Sequence, residues 1–422
     1  MKKDWQTTQG ARSLEEHYAR LLGIEAPWLV TRVEAAPGLE QIDVWVEHAP
    51  DVALTCPICG ATAPGYDRSS ERVWRHLDVC LIPLFVHCRL PRCRCPQHGV
   101  RRLRAPWEGG CPHFTEGFSH HAIEVLQETM NLSSACRLLG ISWKQGCRLR
   151  EWAVRVALKR RETKPDTHIL LGVDEKAFGK GVDFATIVYS HTTRSVLEVV
   201  PGRSAEAAAH ALSQAIPEPL RDKVQGISMD FSTAYAKAAS EVFPQAHQVV
   251  DRFHAAALLS TAVDEVRRQS MKRPDCPPSL KNTRLLWLKN LRNLSEEEIA
   301  RFDRLIELDL PVCEAWHVKY AFRFFYEQPS RVEAMKYFWV WFDWATRARL
   351  KPLIRVAKTF WHNIVRLANY HRFGGLTNAR AEGFNSKIQS IKSVARGFRN
   401  FANYRFAILF HCSRLPLPTH SL

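Results

Sequence analysis

Between residues 169 and 250, short apolar runs alternate with turns and with two segments of helical periodicity. Short apolar runs bounded by turn residues are typical of buried strands, and apolar residues spaced three or four apart are typical of amphipathic helices. The pattern predicts strands at 169–173, 184–189, 195–200, 224–229 and 248–250, and helices at 205–216 and 232–242. We therefore expect an α/β domain in this part of the chain.

Acidic residues follow two of these predicted strands. Asp174 comes directly after the strand at 169–173, and Asp230 after the strand at 224–229. Three strands, a helix, a strand, a helix and a strand is the order of an RNase H-like sheet, in which the first and fourth strands are neighbours. An aspartate at such a position is also commonly a loop residue or a helix cap, and that alternative stays open for each residue alone.

A third acidic residue, Glu382, lies on the last predicted helix. This helix has an apolar stripe of Phe384, Ile388, Ile391 and Ala395, and an opposite polar side of Glu382, Asn385, Gln389, Lys392 and Arg396. Carboxylates gathered from distant segments can hold two Mg²⁺ or Mn²⁺ ions that activate the attacking oxygen and stabilise the leaving oxygen of a phosphodiester. The candidate phosphate contacts, which a solvated basic face explains equally well, are Lys387, Lys392, Arg396 and Arg399.

Composition favours a globular protein of two or three domains that binds a polyanion. The chain has 422 residues, of which 46% are hydrophobic, and its formal net charge is +16. It has no apolar run of about 18 residues, and its N-terminus lacks the apolar core of a signal peptide. We expect a cytoplasmic, nucleoid-associated protein with no membrane contact.

A cysteine set predicts a zinc site. Cys56 and Cys59 form one tight turn and Cys95 and His98 form a second, which together offer a Cys3His tetrahedron for Zn²⁺. Strands at 72–77 and 81–86 between the turns predict a small β-rich module with little core. Other residues that could replace one of these zinc ligands are Cys88, Cys93 and His76. The alternative to a zinc site is that some of these cysteines are incidental buried thiols. The thiols expected to be structural are Cys111, Cys136 and Cys147.

Residues 133–142 have the small residue and glycine turn of a helix-turn-helix. Its second helix is predicted to begin at Trp143 and to be capped by Ser142. The residues that it would present to DNA are Ser142, Trp143, Lys144, Gln145, Arg148 and Arg150. A helical hairpin that merely links two domains is the alternative.

Four motifs together resemble bacterial insertion-sequence transposases of the DDE class, and the ISL3 family is the most similar group. The motifs are Gly-Val-Asp-Glu at 172–175, Asp-Phe-Ser-Thr-Ala-Tyr at 230–235, Val-Asp-Arg-Phe-His at 250–254 and the run from Thr377 to Lys387. The resemblance implies a catalytic triad of Asp174, Asp230 and Glu382, with Asp251 and His254 as accessory residues. For these two, a helix N-cap and a packed core histidine are the alternatives. Glu175 would point to the opposite face of its strand.

The resemblance also implies the organisation of the whole chain. We expect a multidomain α/β protein with a small β-rich zinc module, a helix-turn-helix and an RNase H-like mixed sheet interrupted by an all-helical insertion. The expected segments are an N-terminal helix and lead-in at 1–50, the zinc module at 51–112, the helix-turn-helix at 113–163, the first catalytic part at 164–254, the insertion at 255–370 and the C-terminal catalytic helix region at 371–412.

The implied function is DNA transposition by a homo-oligomer assembled on double-stranded DNA. The protein would bind the terminal inverted repeats of its element, hydrolyse DNA at the element ends and join the 3′-hydroxyl to target DNA. Two alternatives stay open from the residues alone. A zinc-dependent transcription regulator would not need the acidic triad, and an RNase H-like nuclease would use the triad without strand transfer.

Overall fold

The computed structural model describes residues 13–161, 169–179, 183–274, 276–376 and 379–419, except for the side chains of 379–382. The chain divides into an N-terminal unit, Met1–Arg161 with Leu415–Leu422, and a C-terminal unit, Glu162–Arg414. A search of the described ranges for a helix long and apolar enough to span a bilayer finds none.

The N-terminal unit is β-rich at its start and helical at its end. Its elements are α1 (Leu14–Leu21), β1 (Trp28–Ala35), β2 (Ile42–His48), β3 (Leu54–Thr55), β4 (Thr62–Ala63), β5 (Gly65–Arg68), β6 (Arg72–Val79), β7 (Ile82–Cys88), β8 (Pro91–Cys95), β9 (Gly99–Arg102), α2 (Glu116–Thr129), α3 (Leu132–Leu138) and α4 (Trp143–Arg160).

One sheet of this unit has the order β1-β2-β7-β6. Alternate residues of β2 are buried, so one face of the sheet packs into a core that contains Trp74 and Trp107. Residues 1–50 are expected from the sequence to lie outside the β-rich module, but β2 pairs in parallel with β7 and therefore belongs to the same sheet. The strands at 72–77 and 81–86 are present as β6 and β7, and they have a substantial core rather than a small one.

Separate, smaller strands carry the cysteine turns. β3 pairs with β4, and β5, β8 and β9 form a second antiparallel sheet in the order β5-β8-β9. Only a small cluster of buried side chains holds this region together, namely Cys56, Ala63, Cys93, Cys95 and Leu103. A region with so little apolar core is the kind that a bound metal ion stabilises.

The C-terminal unit contains the predicted α/β domain. Its elements are β10 (Leu170–Ala177), β11 (Phe184–Ser190), β12 (Ser195–Pro201), α5 (Ala205–Ala215), β13 (Gly226–Met229), α6 (Thr233–Val242), β14 (His247–Val250), α7 (Arg252–Ser270), α8 (Arg284–Leu288), α9 (Glu296–Ile306), α10 (Pro311–Phe322), α11 (Arg331–Arg347), α12 (Lys351–His362), α13 (Ile364–Ala368), α14 (Ala379–Val394) and α15 (Phe401–Cys412). Every strand and helix predicted between residues 169 and 250 is confirmed.

The sheet of this unit has the order β12-β11-β10-β13-β14. β10 pairs antiparallel with β11 and parallel with β13, and β13 pairs parallel with β14. Because strand side chains alternate, Leu171 and Val173 point into the core beneath α5 and α6, whereas Asp174 points to the face that carries α14. Gly172 lies on that second face, where a side chain would overlap the ring of Tyr189.

Helices and short 3-10 turns occupy the described part of the interval between β14 and α14. Their core is dominated by aromatic rings, among them Trp287, Phe325, Phe338, Trp341 and Phe360. Ser295 caps α9 in a capping box with Glu298.

Candidate functional site

Three aspartates occupy equivalent positions on three neighbouring strands, because Asp174 lies within β10, and Asp230 and Asp251 directly follow β13 and β14. In the parallel register, Gly172 is opposite Ser228 and Met229 is opposite Val250. Continuing this register by one or two residues brings Asp174, Asp230 and Asp251 to equivalent positions on β10 and just beyond β13 and β14. Carboxyl ends of neighbouring parallel strands meet at one sheet edge, so segments far apart in sequence supply one acidic row.

Local hydrogen bonds hold two of these carboxylates. The backbone N–H of Glu175 donates to Asp174 Oδ1 at 2.8 Å, and the backbone N–H of Ser232 donates to Asp230 Oδ1 at 2.8 Å. In addition, Arg366 donates to the backbone carbonyl oxygen of Asp230 at 3.1 Å. The turn after β13 is therefore tied to the helical segment α13.

Asp251 is buried at the N-cap position of α7, but its side chain makes no capping hydrogen bond. The helix-cap alternative therefore does not account for this carboxylate. His254 is half-buried one turn further along α7, and its ring lies edge-on to Phe253.

The acidic row raises the pKa of a neighbouring carboxyl. Burial is the largest cause of the raised pKa of Glu175, the charges of Asp230 and Asp174 raise it further, and Arg203 and His254 act in the opposite direction. Glu175 pairs across β10 and β11 with Thr186, which approaches Tyr235 on α6. It therefore lies on the strand face opposite to Asp174, as the sequence predicts.

Helix α14 is attached to the first aspartate. Asn385 Nδ2 donates to Asp174 Oδ2 at 2.8 Å, and Lys392 Nζ donates to the carbonyl oxygen of Ala177 at 2.9 Å. The polar side of the helix thus faces β10, while Ile388 and Ile391 are buried. Ala395 is exposed beyond the end of α14 and does not extend the predicted apolar stripe. Glu382 lies within α14, but its side chain falls outside the described residues.

The basic residues predicted to contact phosphates differ in their surroundings. Lys387 Nζ donates to the carbonyl oxygen of His411 at 2.6 Å, and Lys392 is held at Ala177. Arg396 and Arg399 are exposed in the segment between α14 and α15.

Carboxylate oxygens are the donors that Mg²⁺ and Mn²⁺ prefer, so the acidic row fits such ions chemically. Within the described part of the chain, the ligand atoms of Asp174, Asp230 and Asp251 do not all come within 4.8 Å of one another.

The cysteine and histidine side chains of the N-terminal unit do converge. One ligand atom from each of Cys56, Cys59, Cys95 and His98 lies within 4.8 Å of the others. The Sγ atoms of Cys59 and Cys95 are 3.8 Å apart, and Cys95 Sγ is 3.6 Å from His98 Nδ1. A tetrahedron with Zn–S bonds of about 2.3 Å has sulfur–sulfur edges of roughly 3.8 Å, so the observed spacing fits zinc.

Hydrogen bonding favours the thiolate at Cys56, which is the form that binds zinc, whereas the pKa of Cys59 is raised. Backbone hydrogen bonds from Cys59 and Ile58 are the main causes that lower the pKa of Cys56 to about 6. Of the substitutes, Cys88 is buried in the other core, where burial raises the pKa of its thiol to about 12. The thiol of Cys93 contacts the carbonyl oxygen of Thr55, and Nδ1 of His76 forms a hydrogen bond with the hydroxyl of Thr115.

The predicted DNA-contacting residues divide between surface and interior. α4 begins at Trp143 and Ser142 caps it, as predicted, in a capping box with Gln145. Trp143, Lys144 and Arg148 are exposed. Arg150 is buried because it lies on the packed face of α4 with Leu149, Ala153 and Val154, so it is not available at the surface for DNA.

Two sequence profiles match the chain. The DDE domain of the ISL3 family, described as a transposase, matches residues 171–408. The zinc finger of transposases IS204/IS1001/IS1096/IS1165 matches residues 53–98, which include all four residues of the cysteine and histidine cluster.

Individual proteins match over most of their length. The transposase for insertion sequence element IS1001 of Bordetella parapertussis is 27% identical over 88% of this chain and 92% of its own. The transposase for IS1557 of Mycobacterium tuberculosis is 24% identical over 91% of this chain and 92% of its own. Among solved structures, the Drosophila P element transposase strand transfer complex has 13% sequence identity and a TM-score of 0.38, and covers 73% of this chain and 92% of its own.

The first profile spans more than half of the chain and contains the whole acidic row. The chain belongs to the ISL3 family of DDE transposases, metal-dependent enzymes that cleave and transfer DNA strands.

Proposed function

We propose that the protein hydrolyses DNA at the ends of its insertion sequence and joins the resulting 3′-hydroxyl to target DNA. The observation that carries the proposal is the row of Asp174, Asp230 and Asp251 at one edge of the sheet, with α14 attached to Asp174 through Asn385. Sheet order and the position of α14 support an RNase H-like catalytic domain.

The proposed triad is Asp174, Asp230 and Glu382. Glu382 precedes Asn385 by three residues, which is slightly less than one helical turn, and residues so spaced share a helix face. Since Asn385 faces Asp174, the same face of α14 would bring the glutamate toward the acidic row. Two bound divalent ions would activate the attacking oxygen and stabilise the leaving oxygen.

Each side chain has a separate part in this proposal. Asp174 and Asp230 hold their orientation through the backbone N–H groups of Glu175 and Ser232. Asp251 adds a third negative charge from the neighbouring strand, and His254 lies one turn further along α7 as an accessory residue. Arg396 and Arg399, exposed just beyond α14, are the best placed of the predicted basic residues to contact phosphates.

The N-terminal unit would recognise the terminal inverted repeats. We infer a helix-turn-helix from α3, the turn at Gly140 and α4, because Gly140 has a φ of +62° and Gly146 packs against Cys136 without room for a side chain. Trp143, Lys144 and Arg148 would then face a DNA groove, whereas Ser142 and Gln145 are engaged in capping. Zinc held by Cys56, Cys59, Cys95 and His98 would stabilise the neighbouring small strands.

Strand joining separates a transposase from an RNase H-like nuclease. The experiment supplies the full-length protein with Mg²⁺ and a pre-cleaved labelled element end that has a free 3′-hydroxyl, together with plasmid target DNA. We expect labelled end to become covalently attached to the plasmid. A matched end with a 3′-deoxy terminus controls for the nucleophile and should not be joined.

Cleavage of an intact end without any joining of the pre-cleaved end would favour the nuclease and would overturn the strand-transfer part of the proposal. Oligomerisation on DNA, which pairing of two ends requires, is checked by the mass of the complex formed on the same substrate.

A further inference from the structure

The small sheet β5-β8-β9 has an outer side that neither the cysteine and histidine cluster nor the proposed DNA-binding helix uses. Side chains alternate along a strand, and Cys93 and Cys95 of β8 are buried in the small core on the inner side. Arg92 and Arg94 therefore lie on the outer side. Arg102 of β9 is directly opposite Arg92 in the antiparallel register, so it lies on the outer side as well.

The ring of Tyr66 in β5 holds two of these arginines. The guanidinium carbon of Arg94 lies 4.7 Å from the centre of the ring, and that of Arg92 lies 5.6 Å from it. Cation–π contacts of this kind restrict a long side chain, so less conformational entropy is lost when its guanidinium binds a ligand. We call the outer side formed by Tyr66, Arg92, Arg94 and Arg102 the arginine face.

The arginine face carries positive charge that the protein does not fully compensate. Arg92 forms a two-pronged ion pair with Asp67. Arg102 pairs with Glu108 at 3.0 Å, but a second arginine shares the same carboxylate oxygen. Among the residues that the structure describes, Arg94 pairs with no carboxylate, and it is exposed. An anionic ligand would therefore be attracted to this face.

The surroundings favour a nucleic acid over a protein as the ligand. Residues 89–104 contain six arginines and neither aspartate nor glutamate. Protein–protein interfaces usually have an apolar core, whereas the apolar groups on this outer side are the half-buried Val100 and the Tyr66 ring beside its two guanidinium groups. Protein–DNA interfaces are more polar and more positive, and guanidinium groups bind phosphate oxygens in pairs.

We propose that the arginine face binds the phosphate backbone of duplex DNA. Arg94 and Arg102 make the main contacts, and Arg92 adds a contact when it leaves Asp67. The inference rests on the proposed function for the identity of its ligand, and it adds a second contact surface to the N-terminal unit. Phosphates are the same in every sequence, so this face strengthens binding to any duplex, whereas base contacts from α4 would select the element end.

The test compares Arg94→Gln with Arg101→Gln in the full-length protein. Arg101 is exposed and lies opposite Cys93 in the register, so it belongs to the other side of the same sheet and offers a control of equal charge. Fluorescence anisotropy measures binding to a labelled element end and to a duplex of the same composition in scrambled order. Ca²⁺ replaces Mg²⁺, so that cleavage does not contribute, and several salt concentrations are used.

We expect Arg94→Gln to lower the slope of log affinity against log salt by about 0.9, which is the loss of one phosphate contact. It should weaken binding of both duplexes by the same factor. Arg101→Gln should change the slope less. Arg102→Gln is expected to behave as Arg94→Gln does, and bound zinc measured in every variant identifies any protein whose small sheet does not fold.

Removal of a carboxylate from the arginine face should have the opposite effect. Asp67→Asn releases Arg92 for a phosphate, so binding of both duplexes should strengthen and the salt slope should become steeper. Glu34→Gln is the control, because Glu34 is exposed and paired with Arg32 on the other sheet of the same unit. It makes the same change in net charge and should have a smaller effect.

Equal slopes for Arg94→Gln and Arg101→Gln, together with equal affinities for Asp67→Asn and Glu34→Gln, would overturn the proposal. A loss in Arg94→Gln that is confined to the element end would also overturn it, because that result indicates contact with bases. Failure of the proposed function appears instead as absent cleavage and joining with Mg²⁺. Duplex binding that depends on Arg94 in such a protein would retain the arginine face and reject the catalytic proposal.

Discussion

At the scale of single residues, Asn385 connects the helix that carries Glu382 to the strand that carries Asp174. Its amide group donates to a carboxylate oxygen that would also be a metal ligand. A side chain that orients a ligating carboxylate affects metal affinity and activity by about 10- to 100-fold in known sites. This residue was assigned only to the polar side of its helix from the sequence, because nothing in the helical pattern shows which polar residue meets the strand.

Asn385→Ala is therefore expected to lower Mg²⁺-dependent cleavage of an element end by about tenfold or more, with part of the loss recovered at high Mg²⁺ concentration. The measurement is the cleavage rate as a function of Mg²⁺ concentration. Gln389→Ala, one turn further along α14 and exposed, is the control and should behave as wild type. Equal rates for Asn385→Ala and wild type at every Mg²⁺ concentration would show that Asn385 does not position Asp174.

His76 predicts a pH dependence of stability in the N-terminal unit. Burial, the larger cause, and the charge of Arg75 lower the pKa of His76 from 6.5 to about 4. The unfolded chain therefore takes up a proton as pH falls below 6.5, while the folded protein stays neutral at this site until about pH 4. Stability that is present above pH 6.5 is lost progressively through this window, by at most about 3 kcal/mol.

The measurement is the free energy of unfolding in urea at pH 7.5 and pH 5, for wild type and for His76→Gln. Loss of zinc at low pH affects both proteins, so the difference between them isolates the histidine. Wild type should lose more stability on acidification than the variant. An identical pH dependence would contradict the assignment.

Single residues also show which local features the sequence predicts. The neighbouring strand positions of Asp174 and Asp230 were predicted because each follows an apolar run, and the cap at Ser142 because a capping residue precedes a helical pattern. The burial of Arg150 was not found, since a basic residue beside other basic residues appears exposed until the packed face of α4 is known. The link between Arg366 and Asp230 joins distant segments and leaves no local signal in the sequence.

At the scale of elements, close packing between α3 and α4 depends on one glycine. A Cβ atom at Gly146 would overlap the sulfur of Cys136 and lie 3.1 Å from Leu132 Cδ1. The two helices approach because this position has no side chain. Within the N-terminal unit, Gly117 in α2 offers a matched comparison, because its nearest neighbour would be His76 at an ordinary 3.8 Å.

Gly146→Ala should destabilise the N-terminal unit by about 1–3 kcal/mol, since overpacking costs more than the helix propensity that alanine gains. Gly117→Ala should be neutral or stabilising by up to about 1 kcal/mol. Urea unfolding of both variants makes the comparison. Equal stability of the two variants would show that α3 and α4 separate at little cost.

Strands and helices were predicted correctly where the hydrophobic pattern of the segment itself was sufficient. Strands were missed where their formation depends on pairing with a distant strand. The strands and helices from β10 to β14 each carry a clear apolar period and two turn signals. β1 and β2 were missed in the lead-in at 1–50, because they belong to a sheet completed by β7, about forty residues further along the chain. Sequence separation hides such a pairing, since the partner strand is not a neighbour in the pattern.

At the scale of the whole molecule, the net charge of +16 suits a protein whose substrate is DNA. Charge alone binds any DNA, so in the proposed function specificity would come from a few exposed residues such as Lys144 and Arg148 at the start of α4. Each phosphate contact that is removed lowers the steepness with which affinity falls with salt concentration.

Arg148→Gln is expected to weaken binding to the element end and, if it contacts a phosphate, to reduce the slope of log affinity against log salt by about 0.9. Lys159→Gln, exposed at the far end of the same helix, is the charge-matched control and should lower affinity less. Fluorescence anisotropy with labelled end DNA at several salt concentrations gives both quantities. Equal effects of the two variants would argue that the start of α4 is not the recognition surface.

The central claim is that Asp174, Asp230 and Glu382 act together in DNA cleavage and joining. The most direct measurement compares Mg²⁺-dependent cleavage and joining of a labelled element end by wild type and by Asp174→Asn, Asp230→Asn and Glu382→Gln, with Glu175→Gln as the control on the opposite strand face. We expect each triad variant to bind the end but to lose both reactions by at least about a hundredfold, while Glu175→Gln retains them. Retained cleavage in any triad variant, or equal loss in Glu175→Gln, would contradict it.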